Sequence, residues 1–175
     1  MMKMSPLAAA ALSLAIAAPA AAQTMPMPAA CAPLVGTFLT LKSDDPTADP
    51  GEVGRSLVTL SSDGIALMTD TAQSGGEDFQ PFSDASGAWV CDGTGDDGAV
   101  GFRAVLIDFT FPTEAEPDQQ VVRIDIAGRF EPVADMLAGD TRVSFFPVGD
   151  DPLDPAAATS STGYAFTGRK VTVAE

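Results

Sequence analysis

From Leu34 onward the chain nowhere spaces its apolar residues at the 3.6-residue period of a long helix. It breaks instead into short apolar or alternating runs, punctuated by clusters of Gly, Asp and Pro. The runs cover 34–42, 54–61, 64–72, 87–92, 98–111, 119–130, 141–148 and 163–173. Runs of this length separated by turn residues build antiparallel sheets. A sheet of eight strands has two edges of unpaired backbone groups, and closing it on itself removes both. The expected fold is therefore all-β: an antiparallel barrel of about eight strands, with a two-sheet β-sandwich as the alternative. The acidic, Pro-containing stretches at 43–52 and 149–155 are expected to be loops.

Two hairpins can be read in register. Asp63-Gly64 suits a type I′ turn, which needs positive φ at both central residues. That turn sets Leu60 opposite Leu67, puts Val58, Leu60, Ile65 and Leu67 on the core face, and sends Met68 and Asp70 outward. In the run 98–111, Val105, Ile107, Phe109 and Phe111 share one parity, while Asp108 and Thr110 share the other. In 119–130, Val122, Ile124, Ile126 and Phe130 oppose Arg123, Asp125 and Arg129. Facing both apolar sets inward pairs Ile107 with Ile124 and Asp108 with Arg123, because a one-residue slip exchanges the faces. The same parity points Arg103 into the barrel opposite Gly128. There it would anchor the acid group of an amphipathic ligand. A β-bulge near Gly101 that returns Arg103 to solvent is the alternative.

The first residues form a separate unit. Lys3, the apolar run Leu7–Ala18 and the small residues Ala20-Ala21-Ala22 follow the plan of a cleavable secretory signal, with the cut expected between Ala22 and Gln23. The apolar run is shorter than the roughly 20 residues a bilayer requires, and Pro19 closes it. The domain plan is a signal peptide at 1–22, a Pro- and Ala-rich leader at 23–33 and a single β-barrel domain at 34–175. The Ala-rich signal looks bacterial, so a periplasmic or secreted location is expected. In an oxidising compartment the two cysteines, Cys31 and Cys91, are expected to form a disulfide.

Charge and residue types narrow the chemistry. The chain carries 9 basic and 24 acidic side chains and a formal net charge of −15. Such a surface repels phosphate backbones and anionic lipid, so neither nucleic acid nor membrane insertion is expected. With no His there is no imidazole base or imidazole metal ligand. The loop 92–98 is acidic and Gly-rich, but Asp97 and Arg103 stand where an EF-hand has its Gly and its bidentate Glu. No metal and no cofactor are expected. Asp70, Asp108 and Asp125 are the acid–base candidates within strands, and their parity places all three on the wet face.

Leu34-Val35-Gly36-Thr37-Phe38 in the first strand and Gly168-Arg169 in the last resemble the opening and closing motifs of calycin-type barrels such as lipocalins. Phe38 stands where that pattern has Trp. The resemblance implies that Phe38 and Arg169 pack together to plug one end of the barrel. It also implies a cup for a small, largely apolar molecule. Arg103, Phe109, Phe111, Trp89, Tyr164 and Phe166 are the candidate ligand-binding residues, and Trp89 has a second reading as packing beside the disulfide.

The leading function is an exported barrel that binds a small apolar or amphipathic ligand without catalysis. The alternatives are an envelope interaction or structural module with a filled core, and a cofactor-free isomerase or cyclase using the barrel interior. A cavity separates the second from the others, and a carboxylate facing that cavity favours catalysis over binding alone.

Overall fold

The computed structural model describes residues 27–43, 54–76 and 79–173. The expected signal peptide at 1–22, the cleavage expected after Ala22 and most of the expected 43–52 loop lie outside the described residues. Eight strands run in chain order: β1 (Gly36–Ser43), β2 (Arg55–Leu60), β3 (Ile65–Asp70), β4 (Ala85–Thr94), β5 (Val100–Phe109), β6 (Gln120–Glu131), β7 (Met136–Pro147) and β8 (Ser160–Lys170). Each pairs antiparallel with the next, and β8 returns to β1, closing the barrel. The all-β antiparallel barrel read from the punctuation of the sequence is therefore the fold, and the sandwich alternative falls. Among the described residues no helix is long and apolar enough to cross a membrane.

Two faces differ from the sequence reading, for one local reason each. At the first hairpin the Gly64 N–H donates to the Ser61 carbonyl and the Ser61 N–H to Ile65. Only Gly64 has positive φ there, at 88°. The connection is thus a three-residue loop of a type I turn with a Gly bulge, not the two-residue type I′ turn. One extra loop residue shifts the register to Leu60 opposite Ala66 and Thr59 opposite Leu67. Ala66, Met68 and Asp70 consequently face inward, while Ile65 and Leu67 are half exposed outside. The loop before β5 closes in the same way at Gly95–Ala99, with Gly98 at φ 83°.

In β5 the inward set is Val100, Phe102, Ala104, Leu106 and Asp108, followed by Thr110 just beyond the strand. Ile107 pairs with Arg123 and Asp108 with Val122, one residue from the expected register. β5 is apolar on both faces, so alternation alone does not choose between them. Register with β4 and β6 decides it, turning Phe102 and Leu106 inward. The inward face of β6 is as read: Val122, Ile124, Ile126 and Phe130 are buried. Gly128 faces Phe102, not Arg103, and a Cβ there would lie 2.6 Å from the Phe102 ring. Gly128→Ala is therefore expected to destabilise the barrel by about 1–3 kcal/mol through overpacking. Urea denaturation measures this, and an unchanged midpoint would show that the ring does not occupy the place of a side chain.

The barrel is filled at one end. Phe38, Leu60, Val100, Phe102 and Leu137 pack there with almost no exposure, and the Phe38 and Phe130 rings meet edge to face at 5.8 Å. The latter part of the leader closes this end: Ala29–Leu34 forms a 3-10 turn that buries Cys31 and Leu34. Cys31 is disulfide-bonded to Cys91 on β4. The cation over Phe38 is Lys170, 5.7 Å from the ring centroid, and it also donates to the Pro33 carbonyl. Arg169 lies on the outer face instead, because Lys170 shares the inward parity of Phe166 and Gly168. The Phe38–Arg169 packing implied by the resemblance is therefore not formed, and Lys170 is the cation that meets Phe38.

Candidate functional site

The opposite end of the barrel is not filled. There the strands enclose a cup of about 460 Å³. Val122 and Ile124 from β6, Val143 and Phe145 from β7, Met68 from β3 and Phe79 and Phe82 from the β3–β4 connection supply its apolar wall. Its floor is the layer of Thr40, Ser56, Val58, Ile126, Thr141 and Phe166, which packs with only about 10 Å³ left open. The rim is tied across the mouth: Gln80 Nε2 donates to the Glu116 and Asp118 carbonyls at 2.6 and 3.0 Å, and Phe82 bridges to Thr110. These contacts hold the β3–β4 connection, which carries Phe79 and Phe82, against the 110–119 loop.

Polar groups converge on one side of the cup. Lys42 on β1 is ion-paired with Asp70 on β3, and its ammonium lies 4.9 Å from the Tyr164 ring centroid on β8. Asp70 is fully engaged: besides Lys42, it accepts from the Ser56 hydroxyl at 2.8 Å and from the Ala72 N–H at 2.9 Å. Asp108 on β5 lines the same wall and is 3% exposed, yet its Oδ1 has no hydrogen-bond partner among the described residues. Burial first, and then the charge of Asp70, raise the Asp108 pKa to about 7 against the opposing charge of Lys42. An inward carboxyl that titrates near neutral pH is the most reactive group the cup presents.

The expected site residues fall in three places. Tyr164 lines the cup, and Phe166 lies in the layer beneath it. Trp89 is buried at the closed end beside the disulfide, where its indole N–H donates to the Ser61 carbonyl at 2.9 Å. Arg103, Phe109 and Phe111 are outside the barrel, because β5 presents its other parity to the lumen. Arg103 pairs with Ala127 across the sheet and makes a forked hydrogen bond to Asp92 on the outer face, with its side chain 67% exposed. No bulge in β5 is needed to turn it out; the register irregularity lies in β4, between Cys91 and Gly93. The acid-anchoring role of Arg103 is therefore withdrawn.

The three acid–base candidates also divide. Asp125 is on the outer face, held by Arg123 at 2.6–3.0 Å, so the expected Asp108–Arg123 pair is replaced by Asp125–Arg123. Asp70 and Asp108 face the lumen, not water. In the acidic loop, Asp92 is occupied by Arg103, while Asp97 is paired with Arg129 and accepts from the Ala99 N–H. Lys42, Gln80, Phe82 and Phe145 were not singled out from the sequence. The signal that places Lys42 is its two-residue spacing from Phe38 and Thr40 along β1, which shares their inward face. Comparison with known proteins finds no matching family model, no matching curated protein and no matching solved structure.

Proposed function

We propose that the chain is an exported binding protein whose barrel takes a small amphipathic molecule through the open end. The observation that carries this reading is the cup itself, with a largely apolar wall and a few convergent polar groups, the usual composition of a small-molecule site. A module acting only through its outer loops has no use for a lumen left open at one end. The Cys31–Cys91 bond supports the export reading, since such bonds persist in oxidising compartments. The closed eight-stranded barrel and the cation over Phe38 support a calycin-like relationship.

A second reading, the cofactor-free isomerase or cyclase, is favoured by the lumen-facing Asp108. A carboxyl titrating near 7 can take a proton from one atom of a neutral substrate and return it to another. Native mass spectrometry of protein purified from its own host tests the binding reading. A retained small molecule released on unfolding is the expected result. Absence of bound mass, together with no uptake of any amphipathic probe, would end it.

A further inference from the structure

We propose that the cup is selective for a cationic amphipath, an alkyl- or arylalkylammonium ion whose charged nitrogen binds at Asp108 while its apolar part lies against Phe82, Val122, Ile124 and Phe145. The inference rests on the binding reading and adds the chemistry of the ligand head group.

Three observations converge on it. The first is the buried Asp108 Oδ1, which has no hydrogen-bond partner among the described residues. A buried carboxylate requires a donor or a counter-charge. Asp70, its neighbour, has Lys42, Ser56 and the Ala72 N–H. The ion pair therefore occupies Lys42 with Asp70; its charge still favours ionised Asp108, but the Asp108 Oδ1 is left without a hydrogen-bond partner among the described residues. The second is the charge of the lining. Among the described residues the charged groups on the cup are Lys42, Asp70, Asp108 and Glu116, and Tyr164 is the other titratable one. Lys42 cancels one acid, so the cup has an acidic excess, and a chain of net charge −15 steers cations toward it. The third is the aromatic face at the mouth. Phe79 and Phe82 sit with ring centroids 6.4 Å apart and, with Val122, Ile124 and Phe145, give the apolar part of an amphipath a wall in the same cup as Asp108. An anionic head group would meet the same acids unfavourably.

The sign of the pH dependence follows. A free cup takes up a proton on Asp108 as the pH falls through about 7. An ammonium ligand must displace that proton, so its affinity falls with acidification. A neutral carbonyl compound would instead accept a hydrogen bond from the protonated acid and bind more tightly at low pH.

The test is calorimetric titration of the full-length mature protein with octylammonium, octanol and octanoate, which share one tail. At pH 8 octylammonium should bind more tightly than octanol by about tenfold or more, because its ammonium makes a hydrogen-bonded ion pair with the Asp108 carboxylate where the hydroxyl brings no charge. Octanoate should bind weakest. Between pH 8 and pH 5.5 the octylammonium affinity should drop about 30-fold by proton linkage. Asp108→Asn should abolish the preference for octylammonium over octanol and the pH dependence of that preference. Octanol binding as tightly as octylammonium overturns the inference and leaves the binding reading standing. So does a preference that survives in Asp108→Asn, or a neutral probe that tightens on acidification. Failure of all three probes to bind overturns the binding reading itself. The pH profile of the unsubstituted protein keeps the test decisive even if the variant folds poorly.

Discussion

Asp108→Asn is expected to stabilise the protein at pH 8 and to change its stability little at pH 4. The carboxyl has a pKa of about 7 in the folded barrel against an ordinary value of 3.8. Between those values the folded state holds a proton that the unfolded chain has released, so stability falls as the pH rises from about 4 to 7. Above 7 the folded protein carries a buried carboxylate whose Oδ1 lacks a partner, and the full penalty is present. Three pKa units correspond to about 4 kcal/mol, an upper figure for the difference between the two ends of the range. The amide of Asn has nearly the same shape and does not ionise, so the variant should lose this pH dependence. The gain at pH 8 should raise the melting temperature by roughly 10 °C for a domain of this size. Urea denaturation of both proteins from pH 4 to pH 8 measures it. Parallel stability curves would mean that Asp108 titrates as an ordinary surface acid, and the cup would lose its distinctive group.

Reduction of the Cys31–Cys91 bond, or its replacement by Cys31→Ala with Cys91→Ala, is expected to cost about 4 kcal/mol, the chain-entropy value for a loop of roughly 60 residues. The bond spans 60 positions and joins the 3-10 turn to β4. Most of the loss arises in the unfolded chain, which gains freedom once the loop is open. A second part arises in the folded protein, because Cys31 and Leu34 are buried under the closed end and their turn loses its covalent tie. Guanidinium denaturation with and without reductant gives the difference directly. An unchanged midpoint would show that apolar contacts alone seat the 3-10 turn. The cup is at the other end of the barrel, so molecules that remain folded should keep their ligand affinity after reduction. Stability and binding should separate in this one variant.

The strand-by-strand architecture was legible because turn residues punctuate the chain and the runs between them lack the 3.6-residue apolar period of a helix. Seven of the eight strands begin within about three residues of the runs that announce them. β7 is the exception: it begins at Met136, ahead of the run at 141–148, because Leu-Ala-Gly-Asp gives no alternating signal. Gly139 there lies beneath the Phe166 ring, and a Cβ would stand 2.9 Å from it. Only the neighbouring strand explains that glycine.

The site was harder to read, and the reason is physical. Alternation assigns polar residues to solvent, and Asp70 and Asp108 have the polar signature of an outer face. Inside an open cup, however, the inward face is itself the place where polar groups are wanted. One loop residue at Asp63-Gly64 and the choice between two apolar faces of β5 then decided which carboxylates met. The sequence by itself determined an all-β chain of about eight antiparallel strands, because each run carries its own strand pattern and the turns keep neighbours adjacent; the β8–β1 pairing decided that the sheet closes. The sequence also contained the cysteine pair, which an oxidising compartment joins. The tertiary structure alone decided that Lys42, Asp70 and Asp108 share a lumen while Arg103 stands outside. Which face of a strand points inward is set by register with its partners around a closed ring, and a single residue of slip reverses it.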